Sequence, residues 1–173
     1  AWFNPTINSY KRINAPVTDS GATWSPNTIT YSGNNRTHMI RVPGSGRFEL
    51  RLMDGATNPY LLQAGIIAAG LDGLDKKRNP GKPVNVNMYK DAHKVKGAKK
   101  LPLSLNQALN NLDKSKVLKS AFGKDVINSY ITLKDREIKK YNSSQEKRIG
   151  FKKSKSNKSK IITQWERDNT LDC

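Results

Sequence analysis

NRTHMIRVPGSGRFELR, Asn35–Arg51, sets four arginines (Arg36, Arg41, Arg47 and Arg51) around one carboxylate, Glu49. Thr37–Val42 and Arg47–Leu52 alternate as strands do, with Pro43–Gly46 as the tight turn between them. Arg47, Glu49 and Arg51 are spaced by two, so an extended chain turns all three to one face and Phe48 and Leu50 to the other, towards a core. Arg47 and Arg51 would then stand roughly 13 Å apart, each about 6.6 Å from Glu49. One carboxylate cannot neutralise such a cluster, which suits an anion arriving with a divalent cation, as a nucleotide does with its metal. A solvated, salt-bridged strand face is the ordinary alternative for any single Arg-x-Glu-x-Arg. Arg36 and Arg41 are five apart and would face opposite ways in a regular strand. Either Arg36 lies in the entry loop or a bulge re-aims one of them.

The chain of 173 residues has the length of one domain with a sizeable core. It opens on Ala1-Trp2-Phe3 rather than a methionine. Its longest apolar run, Ala64–Leu71, is too short to span a membrane, and no signal peptide is recognisable. Cys173 is the sole cysteine, so no intrachain disulfide can form, and the cytosol is the expected compartment. The net charge is +17, from 31 basic and 14 acidic residues. Lys147, Arg148, Lys152, Lys153, Lys155, Lys158 and Lys160 fall in one stretch without an acid, and the remainder is still basic. Such a charge raises a nucleic-acid reading, but interleaved aromatics and any reader motif are absent, so nucleic acid is not the expected partner.

Ala1–Pro26, rich in Asn, Pro, Ser and Thr, reads as loop, and Thr28–Tyr31 as a short strand turned by Ser32-Gly33-Asn34. Gly44-Ser45-Gly46 fails as a dinucleotide loop, because Glu49 occupies the third glycine position and no helix follows. Asn58 caps a helix with Pro59 in its first turn. Apolar residues cover most of its circumference, which predicts burial, with Gly65 and Gly70 close to the sheet. Asp72-Gly73 and Asn79-Pro80-Gly81 end it. His38 and His93 have no metal-ligand spacing and read as ordinary polar residues. Ser104–Gln107 is a capping box opening a helix to Leu112, and Ser115–Phe122 makes another, stopped by Gly123. Asp125–Tyr141 is amphipathic, with Val126, Ile127, Tyr130, Ile131 and Ile138 on its core side. Ser143–Lys160 is a Ser/Lys low-complexity segment with too little apolar surface to fold.

The run Asn35–Leu74, NRTHMIRVPGSGRFELRLMDGATNPYLLQAGIIAAGLDGL, resembles the glutamine synthetase catalytic domain. That family's pattern is Asn-Arg-Ser/Thr, Ile-Arg-Ile/Val-Pro, Arg-x-Glu-x-Arg, Ala-Asn-Pro-Tyr-Leu and Ala-Gly-Leu-Asp-Gly. The resemblance implies an α+β fold, the C-terminal half of such a domain, with antiparallel strands followed by packed helices. Residues 1–142 would belong to it, 143–160 would be a basic insertion, and 161–173 a C-terminal segment resuming at Trp165-Glu166-Arg167-Asp168. The small N-terminal domain and the first half of the catalytic domain would lie outside these residues. The implied activity is ATP-dependent amide formation on the γ-carboxylate of glutamate through γ-glutamyl phosphate. Ammonia is the first expected amine and methylamine the alternative.

The same resemblance implies roles for single residues. Arg12, in Ser-Tyr-Lys-Arg, would hold glutamate. Arg36 and Arg41 would contact the phosphates of ATP, and Arg47 would support the nucleotide. Glu49 would ligate Mg2+ or Mn2+, while Arg51 would meet the transferring phosphoryl and glutamyl group. Asp54 is expected to brace the following turn. A homo-oligomer with active sites between subunits follows from the family. Trp24 stands where the family places a flap glutamate, and a preceding extra loop holds Asp19, so either residue could serve the amine. Tyr89 matches a tyrosine that some members adenylylate, but Lys90 replaces the usual acid after it, and regulation is not expected there.

Overall fold

The computed structural model describes residues 1–14, 25–149 and 164–170, the side chains of 146–149 and 170 excepted. Trp24 and Asp19 therefore lie outside the described residues, as does most of the basic segment. The elements are α1 (Ile7–Ile13), β1 (Tyr31–Ser32), β2 (Ile40–Gly44), β3 (Arg47–Leu50), α2 (Pro59–Asp75), α3 (Leu105–Asp113), α4 (Lys116–Phe122), α5 (Lys124–Ile149) and α6 (Gln164–Thr170). Strands precede packed helices in an α+β arrangement, as expected. Among the described residues, no helix is long and apolar enough to cross a membrane.

The first 26 residues are not all loop. Thr6 accepts from Ser9 N while the Ser9 hydroxyl accepts from Thr6 N, a reciprocal capping box that opens α1. Serine does here what glutamate or glutamine usually does, and the Asn- and Pro-rich composition hides it. Ile7, Tyr10 and Ile13 recur every third residue and face the core formed with Leu105, Ala108, Leu109 and Ile138.

The sheet has the order β1-β2-β3. β2 and β3 form the expected antiparallel hairpin, whereas β1 pairs parallel to β2. The segment 33–39 carries the chain back across the sheet end so that Tyr31 pairs with Ile40. The register of β2 and β3 shifts between Arg41 and Gly44, the mark of a bulge. Gly46, at φ 79°, takes the left-handed turn position that a side chain would resist. Phe48 is 62% exposed, contrary to the expected core position, while Leu50 on the same face is half-buried.

Asn58 caps α2 through Tyr60 N and Leu61 N, with Pro59 in the first turn. The helix runs through Gly73 to Asp75, and Lys77 takes the left-handed position after it. Its expected all-round burial is not observed. Gly65 is its one buried residue, while Tyr60, Ile67, Leu71 and Leu74 are exposed. The α4 helix and the Trp2–Phe3 segment pack against it, and Leu61 joins the cluster of Trp2, Leu112 and Ile127. Gly65 approaches those two rings and not the sheet, and nothing lies within 4 Å of a Cβ at Gly70.

Trp2 sits edge-on to Phe122 (5.2 Å) and Tyr130 (6.3 Å), and packs with Leu112 and Ile127 in a second core cluster. Ser104 and Ser115 cap α3 and α4, and Gly123 stops α4 at φ 81°. Ile127 and Ile138 are buried in α5 as expected, but Val126 is exposed. The α5 helix continues to Ile149, so residues 143–149, expected to belong to the unfolded insertion, are helical. Beyond residues 150–163, α6 returns to the body through Trp165 on Tyr141 and Glu166 on Lys11.

Candidate active site

Cross-strand register does what spacing along one strand cannot. Arg41 lies directly opposite Glu49, so a residue of β2 joins the Arg-x-Glu-x-Arg face of β3. Arg41 Nη1 donates to both Glu49 oxygens, at 2.7 and 2.8 Å, while its Nε donates to Asn34 Oδ1 at 2.9 Å. The Arg41 side chain is thereby fixed from both ends. Arg36 lies in the turn before β2, the entry-loop alternative, and needs no bulge to reach the cluster.

That turn is held by a short network. Asn35 Nδ2 donates to Val86 O at 3.0 Å, and Thr37 donates to Asn35 Oδ1 from both its amide and its hydroxyl. Thr37 Oγ1 in turn accepts from Met88 N at 2.9 Å. His38 is fully buried, with Nε2 3.0 Å from Val86 O and Nδ1 2.9 Å from Thr30 Oγ1. A carbonyl can only accept, so Nε2 carries the proton and Nδ1 accepts from the Thr30 hydroxyl. Burial lowers the His38 pKa, which keeps the ring neutral. His38 is thus a structural staple, buried and hydrogen-bonded through both ring nitrogens.

Arg12 reaches the same region from α1. Its Nη2 donates to Asn4 Oδ1 and to Leu52 O, both at 2.9 Å, which ties it to the chain leaving β3. Asn4 Nδ2 donates to Leu52 O as well. Asp54 braces the turn after β3, accepting from Ala56 N at 2.8 Å, as the sequence suggested.

Electrostatics shows these groups sharing one field. The hydrogen bonds from Arg41 lower the Glu49 pKa, and the charges of Arg41, Arg47 and Arg36 add to that effect. Burial lowers the Arg51 pKa, helped by Arg36 and Arg41 and opposed by Tyr89 and Glu49. Burial likewise lowers that of Arg12, with Asp54 opposing and Arg51 assisting. A guanidinium so shifted is still protonated at neutral pH. Arg36, Arg41, Arg47 and Arg51 thus lie about Glu49, and Arg12 adjoins Arg51. Clustered like charges of this kind cost free energy unless an anion relieves them.

Sequence reasoning missed the supports. Asn34, Asn4 and the Leu52 carbonyl orient Arg41 and Arg12, and Tyr89 was not foreseen as a neighbour of the arginines. Burial raises the Tyr89 pKa against the charges of Arg51 and Arg12. Only the Asn-rich composition around Asn34-Asn35 hinted at such brackets. Glu49 alone, already accepting from Arg41, is not a divalent-metal site. No group of three His, Cys, Asp or Glu side chains able to hold a metal occurs among the described residues. A separate cleft of about 500 Å³, lined by residues such as Trp2, Ala69, Leu112 and Leu118, contains none of these six residues.

A short sheet carrying clustered guanidinium groups, followed by packed helices, defines an α+β domain. The family model described as "Glutamine synthetase, catalytic domain" matches residues 1–150, and the chain belongs to that family. It is 54% identical over 169 residues to glutamine synthetase of Rhizobium leguminosarum bv. phaseoli, covering 98% of this chain and 35% of that protein. It is 46% identical over 140 residues to glutamate–methylamine ligase of Methyloversatilis universalis, covering 79% and 31% respectively. A solved structure described as "GmaS/ADP complex-Conformation 1" superposes with a TM-score of 0.77 at 48% identity, over 100% of this chain and 36% of that one. The chain spans about a third of the length of these relatives.

Proposed function

We propose that the protein carrying this chain is an ATP-dependent ligase that joins an amine to the γ-carboxylate of glutamate. The observation that supports it best is the gathering of Arg36, Arg41, Arg47 and Arg51 about the carboxylate Glu49, with Arg12 beside Arg51. A γ-carboxylate oxygen attacks the terminal phosphorus of ATP, ADP leaves, and γ-glutamyl phosphate forms. The amine nitrogen then attacks the acyl carbon, phosphate departs, and a proton is lost to give the amide. Both steps place phosphoryl and carboxylate charge together, and fixed guanidinium groups offset that charge without reorganising.

In this reading Arg12 grips glutamate, held by Asn4 and Leu52 O. Arg36 and Arg41 bind phosphate oxygens, Arg47 supports the nucleotide, and Arg51 faces the transferring group. Glu49 supplies one oxygen ligand to Mg2+ or Mn2+, with the others coming from outside these residues. When bound, such an ion neutralises phosphate charge. Residues 1–142 and 161–173 form the C-terminal part of the catalytic domain around a basic insertion at 143–160. The enzyme is cytosolic and a homo-oligomer whose sites lie between subunits.

Ammonia is the favoured amine, supported by the higher identity to a glutamine synthetase. Methylamine is the second reading, supported by the glutamate–methylamine ligase relative. The test is ADP release by the full-length enzyme with glutamate and either amine. Release requiring glutamate, ATP and an amine together, and lost in Arg51→Lys, supports the reading. Turnover indifferent to glutamate, or to Arg51→Lys, overturns it.

A further inference from the structure

Three consecutive residues of α1 radiate to three different anchors. Tyr10 enters the core and donates from its hydroxyl to Asn4 O at 3.0 Å. Lys11 forms an ion pair with Glu166 of α6. Arg12 reaches Asn4 and Leu52 at the site. Successive helical residues are set about 100° apart, so a rotation of α1 that moves Lys11 moves Arg12 as well.

The Lys11–Glu166 contact is buried. Glu166 is fully enclosed, and the Lys11 side chain is 9% exposed. Trp165 stacks edge-on to Tyr141 with centroids 5.4 Å apart, and Lys11 Nζ lies 5.9 Å from the same Tyr141 ring. Both helices are seven residues long, too short to persist alone, so their docking determines where each sits. An apolar contact in this place would hold α6 equally well. A hydrogen-bonded charge pair adds direction, because either charge left alone in the interior is costly.

We propose that the buried Lys11–Glu166 pair is a positioning device for Arg12, through which α6 sets the rotation of α1 and hence the grip on the glutamate carboxylate. The proposal rests on the reading of Arg12 given above. Glu166 and Lys11 touch no substrate; they act through the helix that carries Arg12.

The experiment compares the full-length enzyme with Glu166→Gln, with the apolar pair Lys11→Met and Glu166→Met, and with Arg12→Gln. Glu166→Gln is expected to raise KM for glutamate about tenfold, as loss of a well-aligned charged contact would. KM for ATP should stay within about twofold, because the nucleotide-side arginines lie on the β2–β3 hairpin and the turn before it. Amide hydrogen exchange across residues 7–13 should quicken in the same variant. The apolar pair should recover part of the stability but not the glutamate affinity, since it removes both buried charges without restoring direction. Unchanged exchange across residues 7–13 would overturn the coupling. So would quickened exchange with unchanged KM for glutamate, provided Arg12→Gln itself raises that KM. Parallel rises in both KM values would mark a merely structural role and also overturn it. If Arg12→Gln leaves glutamate affinity intact, the assignment of Arg12 falls, and the positioning claim falls with it.

Discussion

Gly65 and Gly70 lie on one helix and offer a paired measurement of how α2 is held to the site. Alanine in place of either gains roughly 1 kcal/mol of helix propensity. At Gly70 a Cβ meets nothing within 4 Å, so Gly70→Ala should stabilise by about that amount. At Gly65 a Cβ would lie 3.2 Å from Phe3 Cε1 and 3.3 Å from Trp2 Cε3. Trp2 is wedged by Phe122 and Tyr130 and has little room to yield. Overpacking of this kind typically costs about 1–3 kcal/mol, so Gly65→Ala should come out between neutral and about 2 kcal/mol destabilising. The two variants should therefore differ by about 1–3 kcal/mol, read from urea midpoints at constant slope.

The consequence reaches the arginines. Phe3 O accepts from Asp54 N and Thr57 Oγ1, and the next residue, Asn4, holds Arg12. A ring pushed aside at Phe3 should also raise KM for glutamate in Gly65→Ala but not in Gly70→Ala. Equal stabilisation by the two substitutions, with equal glutamate affinity, would refute the packing argument.

Glu49→Gln should lower kcat by about a hundredfold or more, since an amide binds a hard cation poorly, and should leave the urea midpoint near that of the unsubstituted enzyme; unchanged turnover and metal affinity would leave Glu49 as a salt-bridge partner of Arg41 alone. His38 is neutral when folded and its pKa lies below the ordinary value, so the unfolded chain takes up its proton first on acidification. The His38 contribution is complete above about pH 6.5 and is lost as pH falls from there through the folded pKa; His38→Gln should flatten the pH dependence of the urea midpoint in that window. Excision of residues 150–160 from the full-length enzyme should spare activity and weaken retention on polyanion resin at low salt; a loss of turnover would count against treating them as an insertion. Steady-state kinetics should give ammonia the higher kcat/KM, and a tenfold advantage for methylamine would reverse the order of the two amines.

The β2–β3 hairpin and most helix starts were legible because each rests on local chemistry, whereas the strand expected at Thr28–Tyr31 is only Tyr31–Ser32, running into the expected turn. Asn58-Pro59, Ser104 and Ser115 announce helix starts by the donors they satisfy, and Gly123 announces an end by its positive φ. The α1 helix escaped for a local reason too, since Ser9 stands in the capping box where an acid or amide is the usual signal. Burial was harder. Helix α2 is apolar nearly all round, and periodicity alone reads that as enclosure. What covers a face depends on other segments, and with Trp2, Phe3 and α4 against it α2 still leaves Tyr60, Ile67, Leu71 and Leu74 exposed.

The site shows the same division more sharply. Spacing drew attention to Arg36, Arg41, Arg47, Glu49 and Arg51 but left a salt-bridged strand face open, and only the family resemblance gave them roles. Spacing could not place Arg41 opposite Glu49, because that depends on the β2–β3 register and the bulge beside it. Nor could it bring Arg12 to Leu52, a contact across forty positions of sequence. The brackets are all short polar side chains or carbonyls: Asn4, Asn34, Asn35, Thr37 and Leu52 O. Such groups are common in any loop, and only their partners distinguish a bracket from a solvated turn. A guanidinium cluster must be held against its own repulsion before the anion arrives, and the bracket is what holds it. The arginines therefore make the chemistry visible in sequence, while the asparagines that make it work become visible only when the chain is folded.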